Sequence, residues 1–266
     1  MNRLKSETVL GREYFIILPK EYNEDFNYEN NNETNNEISN EKNNETNSIV
    51  EPYPVVYMNG DTKIKQFLEK KFIENNEVIA DLNYILVCVI SENRLLDLTP
   101  WHAPKMNEKF DDFGGGGREY LQWIIQSLKP TIDRNYNTKT GSEYTAIMGQ
   151  SLGGLISLFS MSQTNEFGYI ASISASCWYP NFVEYMDNHE MSNSIYRVYM
   201  SSGKTEGEGS KNITQTSLAS TKKLFDILRR KYSDERVTME WYDGGHHDNV
   251  DRRYIDAFKW LKTNWN

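Results

Sequence analysis

The chain has 266 residues and a formal net charge of −9, with 38% hydrophobic and 25% charged residues. That length suits one α/β domain with a full core, and the acidic balance argues against the basic face by which nucleic acid is bound. The N-terminus carries no apolar run of signal-peptide length, and no stretch approaches the roughly 18 apolar residues of a membrane span, so a cytoplasmic protein without a membrane partner is expected.

Residues 8–18, TVLGREYFIIL, are β-branched and aromatic and predict a strand ending at Pro19. Residues 23–51 are dominated by Asn and Glu; they cannot bury enough apolar surface to offset their ordering entropy, and a disordered surface insertion between two strands is expected. Residues 54–58, PVVYM, predict a short buried strand, with an amphipathic helix over 64–75. The nearly all-apolar run 83–90, NYILVCVI, suits a central parallel strand covered on both faces. A loop over 91–117 carries Arg94, Asp97, Trp101, His102 and the glycines from Gly114 to Gly117, and a helix over 118–128 is expected to stop at Pro130. Further strands are predicted over 169–174, 195–201 and 236–242, and helices over 212–231 and 254–261. The alternation predicts one domain, 1–266, built on a mostly parallel sheet between helices. Cys88 and Cys177 fall in apolar or near-strand contexts and read as buried free thiols.

The stretch 144–163, YTAIMGQSLGGLISLFSMSQ, organises the rest. It reads as a short strand, a sharp turn and a helix, with Gly149-Gln150-Ser151-Leu152-Gly153 at the turn. A G-x-S-x-G in that context places a serine on a strained strand-to-helix elbow, and the flanking glycines remove side chains that would clash there. The Leu152 N–H would face a developing oxyanion near the positive end of the helix. A second oxyanion donor is expected from the loop after the 54–58 strand, at the backbone N–H of Asp61, where only main chain is required.

A nucleophilic serine needs a base and an acid, expected in the order serine, acid, histidine at the carboxyl ends of strands. Glu206 and Glu208 follow the strand ending near Ser201, and Glu206 is preferred, with Glu208 the alternative. Asp243-Gly244-Gly245-His246-His247 follows the last strand, so the base is His247 or His246, with His247 preferred. His102 and His189 lie outside that order. A metal role for the paired histidines would need further ligands at suitable spacing, and no metal or cofactor is called for.

Several blocks together resemble the esterase D-like α/β-hydrolases, and within them the siderophore esterases of the enterochelin, bacillibactin and salmochelin type. They are Pro54 to Asp61, Arg94 to Pro100, Phe113 to Gly115, Leu128 to Asp133, Gly149 to Leu155, Ser174 to Trp178 and Gly244 to His247. The resemblance implies an α/β-hydrolase fold without a separate lid domain. It implies a serine esterase with Ser151 as nucleophile, His247 or His246 as base and Glu206 as acid, working through an acyl-enzyme. Arg94 and Trp178 would line a substrate pocket, with Trp101 and Tyr179 available for stacking on an aromatic acyl group. The substrate implied is a ferric catecholate trilactone, whose cleavage would serve iron acquisition inside the cell. The chain departs from the family in its doubled histidine and in lacking the extra N-terminal domain of longer members. Members acting on acetyl or feruloyl sugars or on thioesters give the alternative, and an inactive binding protein on a hydrolase scaffold is the rival from another class. The oligomeric state is left open.

Overall fold

The structure is a computed structural model and describes residues 3–22, 51–74, 77–192, 194–195 and 197–265. Among these residues eight strands form one sheet in the order β1-β2-β4-β3-β5-β6-β7-β8. They are β1 (Leu4–Val9), β2 (Arg12–Ile17), β3 (Val55–Gly60), β4 (Ile85–Ile90), β5 (Thr145–Gln150), β6 (Tyr169–Ile173), β7 (Arg197–Gly203) and β8 (Val237–Tyr242). From β4 through β8 every neighbouring pair is parallel, while β1 and β2 add an antiparallel edge. This is the α/β-hydrolase architecture, and no separate lid is evident among the described residues. Apart from Glu51, the expected insertion over 23–51 lies outside them.

The central strands are apolar because both their faces are covered. Val55 to Gly60, Ile85 to Ile90 and Thr145 to Met148 are buried throughout. Alternate side chains feed opposite layers: Tyr57, Val87 and Ile147 join one core cluster, and Val56, Met58, Leu86 and Met148 the other. The helices covering these faces include α1 (Thr62–Ile73), α2 (Glu77–Ala80), α3 (Arg94–Asp97), α4 (Gly117–Trp123), α5 (Lys129–Asn135), α6 (Leu152–Ser160), α7 (Phe182–Asn188), α8 (Ser217–Tyr232) and α9 (Val250–Asn264).

Two elements differ from the sequence expectation. Residues 8–18 are not one strand: Leu10 and Gly11, at φ 48° and 79°, turn the chain so that β1 pairs with β2, Val9 facing Arg12. Two consecutive positive-φ residues make the tight turn whose twist suits adjacent antiparallel strands. Nor does Pro130 end the helix before it. The chain passes from α4 through a π-helical stretch, Ile124–Leu128, directly into α5, with Pro130 in its first turn. Proline lacks an N–H and crowds the carbonyl one turn back, and the widened turn accommodates both.

The chain lays β4 on one side of β3 and β5 on the other. Connections therefore leave the carboxyl ends of β3 and β5 in opposite directions, opening a crevice at that edge.

Candidate active site

Ser151 sits in that crevice between β5 and α6 with φ 59° and ψ −118°, a left-handed conformation rare outside glycine. Its neighbours hold it there. The Ser151 N–H donates to the Ile173 carbonyl at 3.0 Å, and its own carbonyl accepts from Leu155 at 2.9 Å and Ser176 at 3.1 Å. The glycines of the turn are required by one another: a Cβ on Gly149 would lie 2.6 Å from the Gly153 carbonyl carbon, and one on Gly153 would lie 2.8 Å from the Asn59 carbonyl oxygen. Asn59, 2% exposed, braces the elbow from β3. Its amide donates to the Met148 carbonyl at 3.1 Å and the Ser157 hydroxyl at 2.9 Å, and its carbonyl accepts from the Tyr120 hydroxyl at 2.9 Å. A buried side chain with this many partners is a rigid support, since each unmet bond would carry a full desolvation penalty.

The Ser151 hydroxyl lies 3.1 Å from Nε2 of His246. The Nδ1 of the same ring lies 3.2 Å from Oε2 of Glu206. The sequence preference was for His247, whereas the ring within reach of Ser151 is that of His246. His247 lines the same cleft, but its ring lies edge-on to His246, and the contact to Ser151 belongs to His246. Successive side chains diverge, so only one of two adjacent histidines can face the serine. The turn that precedes them has Gly244 at φ 95°, a conformation that favours glycine. Of the two candidate acids, Glu206 is buried and meets His246, whereas Glu208 is exposed. His102 is mostly exposed, 3.7 Å from Asp112, and His189 stacks on Tyr185, so neither joins the cluster.

Burial pushes the Glu206 carboxyl toward protonation. The hydrogen bonds from His246 and the Gly203 N–H, the charge of His246 and a bond to Ser174 act the other way and leave its pKa below the usual carboxylate value. The buried carboxyl is thus kept ionised, as a partner for an imidazolium must be.

The cleft beside Ser151 has a volume of about 310 Å³ and includes Asp61, Lys63, Phe67, Arg94, His247 and Tyr254 in its lining. Leu152 opens α6, so its N–H has no acceptor within the helix, and Asp61 follows the last residue of β3. The Asp61 side chain is not idle: Oδ1 accepts from the Lys63 and Ile64 N–H groups, capping α1, and Oδ2 accepts from Arg94 at 2.7 Å. Arg94 therefore lies in the cleft as an ion-paired guanidinium, 36% exposed, while Asp97 is engaged elsewhere by Arg12 and Ser91. Trp178 differs from expectation. It is 9% exposed, packs 6.0 Å from Phe113 and belongs to the core behind the elbow instead of the cleft wall. The Ser176 hydroxyl of the same segment does approach Ser151, at 3.4 Å. Trp101 and Tyr179 pack against each other, 5.9 Å between ring centroids, in that same core region. Cys88 and Cys177 are free and buried, and burial pushes the Cys177 thiol up to about 12. No group of three or more histidine, cysteine, aspartate or glutamate side chains among the described residues is placed to hold a metal ion.

One participant escaped the sequence reading. Arg253 on α9 is fully buried and pairs with Glu206 at 3.0 Å. The signal was present: Arg253, Tyr254, Ala257, Phe258 and Leu261 share one buried stripe of the helix, and an arginine on an apolar stripe needs a partner.

Residues 43–254 match the family described as "Putative esterase". "Uncharacterized protein YbbA" of Bacillus subtilis (strain 168) is 32% identical over 217 residues, covering 79% of this chain and 85% of that protein. The chain belongs to this esterase family, whose members are hydrolases acting on esters. Among solved structures, an IroE-like serine hydrolase from Shewanella oneidensis superposes with a TM-score of 0.70 at 18% identity, covering 99% of this chain and 81% of that one. The enterobactin esterase FES from Shigella flexneri superposes at 0.64 and 15% identity, covering 99% of this chain and 59% of that one. The siderophore hydrolase EstA from Aspergillus nidulans does so at 0.67 and 14%, covering 98% and 94%. At such identities these are likenesses of fold.

Proposed function

We propose that the protein is a serine esterase in which Ser151 is the nucleophile, His246 the general base and Glu206 the acid that orients and charges the imidazole. The observation carrying this is the continuous contact from Ser151 Oγ through both ring nitrogens of His246 to Glu206, at 3.1 and 3.2 Å, on a strained elbow at the carboxyl edge of the sheet. His246 Nε2 takes the hydroxyl proton as Oγ attacks the ester carbonyl. The same imidazolium then protonates the departing alkoxide, leaving an acyl-enzyme. Water deprotonated by His246 releases the acid in the second half-reaction. The Leu152 and Asp61 N–H groups are the proposed oxyanion donors, the first at a helix N-terminus where partial positive charge gathers.

The preferred substrate is a ferric catecholate trilactone, hydrolysed in the cytoplasm to release iron. The observation that supports it is the likeness of fold to siderophore hydrolases; the cations of the cleft, Arg94 and Lys63, stand there beside Asp61 and Asp251. Trp178 is set aside as a substrate contact because it is packed in the core.

The test is turnover of the ferric trilactone beside 4-nitrophenyl acetate, in wild type and Ser151→Ala. The variant is expected to lose turnover by roughly 10⁴-fold or more while keeping its far-UV circular dichroism. Serine-dependent preference for the trilactone supports the siderophore reading. Serine-dependent cleavage of the simple ester alone moves the substrate to small acyl esters, and full turnover without the serine overturns the mechanism.

A further inference from the structure

Among the described residues, Arg253 is a charged side chain with no exposed surface that touches the proposed triad, and the triad reading leaves it without a task. Such burial is tolerated where the charge is matched and the terminal nitrogens find acceptors; Arg253 Nε is left without a hydrogen-bond partner. Its Nη1 donates to Oε1 of Glu206 at 3.0 Å and to the Ser174 hydroxyl, and its Nη2 donates to the Gly245 carbonyl at 2.8 Å. One planar group therefore joins the segments that follow β6, β7 and β8. Oε1 of Glu206 also accepts the Gly203 N–H at 2.8 Å, so that oxygen is held by two donors and Oε2 is the one left to face His246. Gly245, whose carbonyl is held, directly precedes His246. The close approach is built in at the end of β7. A Cβ on Gly203 would stand 2.3 Å from the Gly244 carbonyl oxygen and 2.9 Å from Arg253 Nη2.

We propose that Arg253 is a positioning residue for catalysis: it selects which oxygen of Glu206 meets His246 and pins the peptide before His246, so that Nε2 points at Ser151. The inference rests on the serine esterase reading. A lysine keeps the charge beside Glu206, but a single ammonium lacks the paired coplanar nitrogens that reach Glu206 and Gly245 together. Loss of aim by about 1 Å is enough to slow a reaction about a hundredfold.

The experiment is a double-mutant cycle of Arg253→Lys and Glu206→Gln, with kcat and KM for 4-nitrophenyl acetate measured in all four proteins. Arg253→Lys is expected to lower kcat about ten- to a hundredfold with KM changed less than about threefold, since its task lies in aligning the relay. In the Glu206→Gln background the same change should cost less than about threefold, because the carboxylate it aligns is gone. Arg253→Gln, read in the same cycle, stands in if the lysine variant does not fold. Wild-type kcat in both Arg253 variants, or equal losses in both backgrounds, overturns this inference alone. Wild-type kcat in Glu206→Gln overturns the acid assignment and this inference with it, and activity surviving in Ser151→Ala overturns the esterase reading itself.

Discussion

Ser151 carries left-handed backbone strain because everything around it is already committed: Gly149 and Gly153 leave no room to shift, and Asn59 is tied to both sides of the elbow. Glu206 shows the same economy, with each oxygen assigned to different donors. Its depressed pKa makes a pH prediction. The ordinary value is 4.5 and the folded-state value lies lower, so the stabilisation from this carboxylate is complete above about pH 4.5 and is lost as pH falls through the folded-state value. Chemical denaturation at a series of pH values below 5 should show the wild type losing stability more steeply than Glu206→Gln. Parallel curves would mean that the carboxyl is not ionised against its partners. Of these residues, Ser151, Glu206 and the histidine pair were legible from chain order and glycine spacing. The choice between His246 and His247 was not, because adjacent residues look alike in sequence and the contacts that separate them lie with Ser151 and Glu206, far away in the chain.

Among the elements, the strands of the sheet interior were readable because a fully covered strand is apolar along its whole length, as in Ile85–Ile90. The edge hairpin was not, because Leu10-Gly11 interrupts a run rich in β-formers with only one glycine. That turn supports a prediction. Gly11 has φ 79°, and a Cβ placed on it would meet nothing within 4 Å, so Gly11→Ala costs backbone strain without a clash. A loss of about 1 kcal/mol is expected from urea denaturation, with activity unchanged; no loss would show that the hairpin turn is not held in this conformation. The helix over Pro130 was missed for a different reason. A proline inside a continuing helix needs the turn before it to widen, and whether that turn does so depends on packing that Ile124 and Leu128 find in the core.

Across the molecule as a unit, α9 serves stability and the proposed site at once. Tyr254, Ala257, Phe258 and Leu261 cover one sheet face, while Arg253 reaches the loops at its edge. Burial of Tyr, Phe and Leu side chains contributes about 1.5–3 kcal/mol each, so removing three of them takes a large part of the ~5–15 kcal/mol that holds a domain together. A chain ending at Asn249 is therefore expected to lose its cooperative thermal transition and its esterase activity together; a cooperative transition near the wild-type temperature would show that α9 is dispensable to the fold.

The order of residues along the chain was enough to establish the class of fold, through alternating apolar strands and amphipathic helices. It was also enough for the elbow serine, because local backbone geometry demands glycine at set positions. Three-dimensional packing settled which histidine meets Ser151, where Arg94 finds its counter-charge, that Trp178 faces the core, and that Arg253 lies against Glu206. Those are contacts between segments far apart in the chain, set by how loops at one sheet edge converge, and no local pattern encodes a distance between them.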